Sequence, residues 1–247
     1  MYIYCVNLED SYRIIADVLD LKDAPACKSG ETCAFDDYDT QIILKKGEEP
    51  AMKGSLKLAN SASDAFILQY YEEADTQKAA FGHDISSSDW EKIARIKDVY
   101  GDILFTAPVV AYNVAHPLLV YMNDELNSDA RKFTFLCGHD SNIASVNAAL
   151  EVEDYELPLS IEKKTPIGSK LVFEKWIDKS GNEYIAVNIV YQTTGQLRNV
   201  ELLDLNNPPM VYQLRLKGLN RNADGLYSLE EVNGRFEKAI AAYDDIK

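Results

Sequence analysis

The tripeptide Gly-His-Asp occurs twice in this sequence, at residues 82–84 and 138–140. The pair of residue types invites chemistry on an anionic ester. A protonated imidazole supplies a strong donor and a positive charge to an anionic oxygen, and a neighbouring carboxylic acid can protonate a departing ester oxygen. Context separates the two copies. Gly82-His83-Asp84 falls between two helical segments and leads into the polar run ISSSD, so it reads as an exposed interhelical loop with Asp84 near a cap. Gly138-His139-Asp140 joins the apolar run KFTFLC to the amphipathic SNIASVNAALEV. A strand-to-helix turn aims backbone N–H groups and the positive helix end at one point, which is a ready anion site. Strand carboxyl ends are also where open α/β sheets bind ligands. Position alone leaves a second reading open, a structural turn in which Asp140 merely caps the helix. The two chemical roles also oppose each other. A helix N-terminus and a cationic His favour an ionised acid, whereas a bound phosphate favours the protonated one, so proton donation is expected at acidic working pH or on a strongly negative substrate.

No other constellation competes. The sequence contains no P-loop, no Rossmann glycine pattern, no nucleophile elbow and no Cys-x-x-Cys. His116, just before Pro117 in an apolar helix, reads as a packing or surface residue.

The elements that must position His139 and Asp140 follow from periodicity. Residues 7–21 carry Leu8, Tyr12, Ile15 and Leu19 at helical spacing. Residues 22–50 are rich in turn residues and acids, with a short extended piece at 41–44. A helix is expected over 61–73 with Ser61 or Ser63 as its cap, another from Asp89 behind a serine cap, and a third over 109–126 that Pro117 should kink or divide. From Lys132 the character changes: KFTFLC reads as a strand, with Gly138 admitting a tight turn. KLVFEKWID and EYIAVNIVYQ read as two strands around a Lys-Ser-Gly-Asn hairpin turn, MVYQLRLKG as another, and LEEVNGRFEKAIAAYDDI as a closing helix. The expected fold class is α/β, a mainly helical region over 1–130 followed by an α/β region over 131–247 that begins as if earlier strands were missing.

Composition bounds the partners. Forty acidic against 25 basic residues give a net charge of -15, a surface that repels nucleic acid and anionic membranes. Any anion site must therefore be local. No apolar stretch approaches the roughly 20 residues of a membrane span, and the first 19 residues lack the basic start and apolar run of a signal peptide. Cys27 and Cys33 lie in a loop-like stretch whose spacing suits a small disulfide-closed loop better than a zinc site, with two free thiols as the alternative. Such a disulfide would imply an oxidising compartment. Cys5 and Cys137 sit in apolar runs and read as buried thiols.

FTFLCGHDSNIASVNAAL resembles the strand–GHD(S/T)N–helix segment of histidine acid phosphatases, in particular of their glucose-1-phosphatase-like members. SYRIIADVLDLKDAPACKSGETC, LKLANSASDAFILQYYE, LFTAPVVAYNVAHPLLVYM, TPIGSKLVFEKW and VYQTTGQLRN resemble successive segments of the same proteins, in order. The resemblance implies a phosphoglycerate-mutase-like histidine phosphatase fold, here incomplete, and two-step phosphomonoester hydrolysis without a metal or organic cofactor. It implies that His139 binds the phosphate, that Asp140 is the general acid, that Glu49 in GEEPAMKG lies on the substrate side (a solvated loop acid being the alternative), and that Cys27 pairs with Cys33. It also implies a periplasmic or secreted setting. The family's nucleophile is a His in an Arg-His-Gly-x-Arg-x-Pro motif, yet none of the seven arginines here precedes a histidine. Leu219 and Tyr227 stand where the resembled proteins have a second cysteine pair. The expectation is a chain matching the C-terminal three-fifths of the family, inactive alone, acting on a sugar phosphate or inositol phosphate only with the missing part. A partner chain or self-association would then cover what that part normally covers. A non-catalytic binding or scaffold module is the alternative.

Overall fold

Apolar side chains at helical spacing organise the first half of the chain into a helical core. The computed structural model describes residues 6–31, 33–35 and 39–246. Helix α1 (Glu9–Val18) turns Ile14, Ile15 and Val18 inward. After a short helix α2 (Pro25–Lys28), a two-stranded antiparallel ribbon, β1 (Gln41–Ile43) and β2 (Ala51–Lys53), brackets the loop that carries Glu49. Helix α3 (Ser55–Glu72) starts six residues before the expected 61. Its N-cap is Gly54, whose φ is 96° and where a Cβ would lie 2.0 Å from the Asp39 carbonyl oxygen. Ser63 is therefore no cap; it is buried in mid-helix and its hydroxyl donates to Ile93 O at 2.6 Å. A single turn, α4 (Thr76–Ala79), leads to α5 (Ser87–Phe105), capped by Ser86 as the serine run predicts. Tyr70 of α3 stacks on Trp90 of α5 with ring centroids 4.1 Å apart, and Phe66, Ile67, Ile93 and Ile96 close this first core. Full burial of each such side chain contributes roughly 1.5–3 kcal/mol.

Helix α6 (Pro108–Leu126) runs through Pro117 without a break, so the expected division does not occur. Pro117 is exposed, and one missing backbone donor on a solvent-facing turn is tolerated where the opposite face packs well. Ala111, Ala115 and Leu119 of α6 join a second core with α7 (Asp140–Ala149) and a four-stranded antiparallel sheet. Its central strand β4 (Glu183–Tyr191) pairs with β3 (Lys170–Ile177) from Ile177↔Glu183 to Lys170↔Val190. Along its other edge lie β5 (Met210–Gln213) and β6 (Tyr227–Ser228). Helix α8 (Thr194–Arg198) follows β4, and α9 (Leu229–Ala241) lays Val232 and Phe236 into the second core.

Two expectations fail together at residues 132–137. This run has no regular secondary structure, with a bend at Lys132, and belongs to no sheet among the described residues. Phe133 is 82% exposed and Phe135 64%. A strand needs a neighbour to receive its N–H and C=O groups, and β3 to β6 pair elsewhere. For the same reason Cys137 is an exposed free thiol and not a buried one. Cys5 lies outside the described residues. Cys27 and Cys33 are disulfide-bonded.

Candidate active site

His139 is the N-cap of α7, and Asp140 is its first residue. The turn is held by Asn142, whose Oδ1 accepts the His139 backbone N–H at 2.8 Å. Gly138 is glycine because of that contact: a Cβ there would lie 2.8 Å from Asn142 Oδ1. It makes room and is not a tight-turn residue, since its φ is not in the left-handed region. The exposed imidazole and carboxylate thus sit where the orphan N–H groups and positive dipole end of α7 emerge.

Both side chains line a cleft of about 1590 Å³ that receives residues of both cores, and Glu49 lines it too. The Glu49 loop is tied down from α6. Asn113 Oδ1 accepts the Gly47 N–H at 2.7 Å, and its Nδ2 donates to Glu48 O at 2.9 Å. Lys46 donates to Ile246 O at 2.7 Å and lies over the Tyr243 ring, which stacks on His116. His116 is a packing residue, as expected. Gly82-His83-Asp84 forms a turn with Gly82 at φ 96° and contributes nothing to the cleft lining.

Sequence reasoning missed Lys97, Asp64 and Glu162. Lys97 Nζ lies 2.8 Å from Glu162 Oε1, 3.4 Å from Asp64 Oδ1 and 3.6 Å from Asp140 Oδ2. Glu162 is fully buried, and its other oxygen accepts Tyr71 OH at 2.9 Å and the Ile167 N–H at 3.1 Å. Burial acts to lower the Lys97 pKa, but the Glu162 charge and hydrogen bond, with Asp140 and Asp64, outweigh it and hold the ammonium above its usual range. Burial and then the Glu162 charge push the Tyr71 hydroxyl up. One signal was available: Ile93, Ile96, Lys97 and Tyr100 share a helical stripe, and a lysine on a core-facing stripe is uncommon. Among the described residues, no three His, Cys, Asp or Glu side chains converge as metal ligands would.

The sequence pattern of the histidine phosphatase superfamily, branch 2, matches residues 33–192. The chain belongs to this superfamily. The glucose-1-phosphatase of Providencia rettgeri is 38% identical over 97% of this chain and 58% of its own length. That of Salmonella typhimurium is 39% identical over 92% and 56%. The chain therefore spans less than three-fifths of these relatives. Citrobacter braakii phytase shares the fold with a TM-score of 0.83 at 24% identity, covering 96% of this chain and 61% of the phytase.

Proposed function

We propose that this chain provides the phosphate-binding and proton-donating half of a phosphomonoester hydrolase acting on a sugar phosphate such as glucose-1-phosphate. The observation that carries the reading is His139 and Asp140 side by side at the N-terminus of α7, facing one cleft with Glu49. In this reading His139 and the helix N–H groups take the phosphoryl oxygens, and Asp140 passes its proton to the ester oxygen as the P–O bond breaks. Glu49 contacts the sugar side. The cleft lining holds ten carboxylates against seven lysines and arginines, which favours an ester with one phosphate over a polyphosphorylated one. The phosphoryl group goes to a nucleophile and then to water. Since no arginine here precedes a histidine, the nucleophile of the Arg-His-Gly motif is supplied from outside this chain, and turnover by the chain alone is negligible. The same absence favours a second reading, a binding module that holds phosphate esters without cleaving them. The Cys27–Cys33 disulfide supports a periplasmic or secreted setting.

The test mixes the chain with the Arg-His-Gly-bearing segment of a relative and measures phosphate release from glucose-1-phosphate and from inositol hexakisphosphate. Release from the first, lowered about 10²–10⁴-fold by Asp140→Asn, is expected. Ester binding without release in the mixture favours the binding module. Release that Asp140→Asn leaves unchanged removes the acid role.

A further inference from the structure

Asp140 is gripped at both oxygens, and by different means. Oδ1 accepts the Ser141 backbone N–H at 2.8 Å, while Oδ2 faces the Lys97 ammonium at 3.6 Å. The second distance is too long for a hydrogen bond and short enough for a strong charge contact. What keeps Lys97 from closing the gap is on its other side. Its direct bond goes to Glu162 Oε1 at 2.8 Å, and Glu162 is immobilised by Tyr71 OH and the Ile167 N–H. The Lys97 side chain is only 17% exposed, so little room remains for it to swing.

We propose that Lys97 is the positioning residue of Asp140, a fixed cation that orients the carboxyl toward the cleft and stabilises the carboxylate left once its proton has gone to the leaving oxygen. This rests on the reading of Asp140 as the general acid. The geometry suits the task. A tight Lys–Asp hydrogen bond would occupy the oxygen that must carry the proton, whereas no cation at all would leave the side chain free to rotate. Glu162 sets the intermediate distance by holding Lys97 back. The contact also crosses the molecule: Lys97 is on α5, Asp64 on α3, Asp140 on α7 and Glu162 on the segment after α7, so the helical core reaches the α/β core at the acid itself.

Two readouts test it. The first needs no turnover: side-chain three-bond couplings of Asp140 in labelled protein report its χ1 populations. A single rotamer is expected in the unsubstituted protein and in Lys97→Arg. Averaging is expected in the paired substitution Lys97→Met with Glu162→Gln, which removes both buried charges and leaves only the half-exposed Asp64 and Asp140 without their cation. Unchanged couplings in that folded double variant overturn the proposal. The second readout uses the complemented protein. p-Nitrophenyl phosphate, whose leaving group departs readily as an anion, depends little on a general acid, whereas glucose-1-phosphate depends on it heavily. The double variant should lose at least about tenfold more kcat on glucose-1-phosphate than on p-nitrophenyl phosphate, and Lys97→Arg should restore most of it. Equal losses on both esters also overturn the proposal, because a merely structural defect lowers both alike. If no ester turns over, or Asp140→Asn changes nothing, the reading of Asp140 as acid fails while the couplings still decide whether Lys97 orients it.

Discussion

The Asp98 carboxylate accepts the backbone N–H of Lys163 at 2.9 Å, and that of Lys164 at 3.3 Å, joining helix α5 to the segment that carries Glu162. Burial pushes this carboxyl up to about 7; the Lys163 N–H acts against the rise, and Glu162 and Asp102 add to it. The folded value thus lies above the unfolded one of about 3.9. The neutral acid contributes stability that is fully present below about pH 4 and is lost as pH rises through 7, at most about 4 kcal/mol. Urea unfolding at a series of pH values should show stability falling over this range. In Asp98→Asn that fall should disappear, whatever constant offset the amide introduces. A difference between the two proteins that stays flat with pH contradicts the assignment.

Gly138→Ala should break the cap of α7, because its Cβ would displace Asn142 Oδ1 from the His139 N–H. A loss of about 1 kcal/mol is expected in denaturant unfolding. Asn142→Ala should cost about the same, and the two together little more than either alone. Full additivity would mean the glycine serves something other than this contact.

Cys137 should react with iodoacetamide in the folded protein, since its thiol is exposed. Peptide mapping after brief labelling should find the adduct at Cys137, with Cys27 and Cys33 unlabelled until a reductant is added. Protection of Cys137 in the native protein would show that the 132–137 segment is covered in solution.

Opening the Cys27–Cys33 bridge should cost about 2 kcal/mol, the loop being short. Unfolding of the double serine variant, compared with the parent whose bridge is intact, measures it. Because the bridged loop contributes nothing to the cleft lining, ester binding should be unaffected.

Local signals carried much of this fold. The serine run before α5, the hairpin turn between β3 and β4 and the closing helix α9 are all legible because each is decided within a dozen residues. Helix α8 carries a local signal too, since Thr193 and Gln196 form a capping box. Residues 132–137 misled because strand propensity says nothing of a partner strand, and here none lies alongside. His139, Asp140 and Glu49 could be singled out by type and resemblance, but Lys97 could not be joined to them. Its partners lie 43 and 65 residues away in sequence, and only the packing of α3, α5 and α7 brings them within 4 Å.

The tie between Lys46 and Ile246 bears on the part of the cleft that Glu49 lines. The stretch just before Glu49 is fastened twice, at Gly47 and Glu48 by Asn113 and at Lys46 by the Ile246 carbonyl and the Tyr243 ring. Glu49 therefore takes its place from residues about two hundred positions away along the chain. Residues 243–246 act as a guy-rope for the Glu49 loop, and if Glu49 contacts the sugar as proposed, removing them would be felt first as a change in which alcohol the cleft prefers.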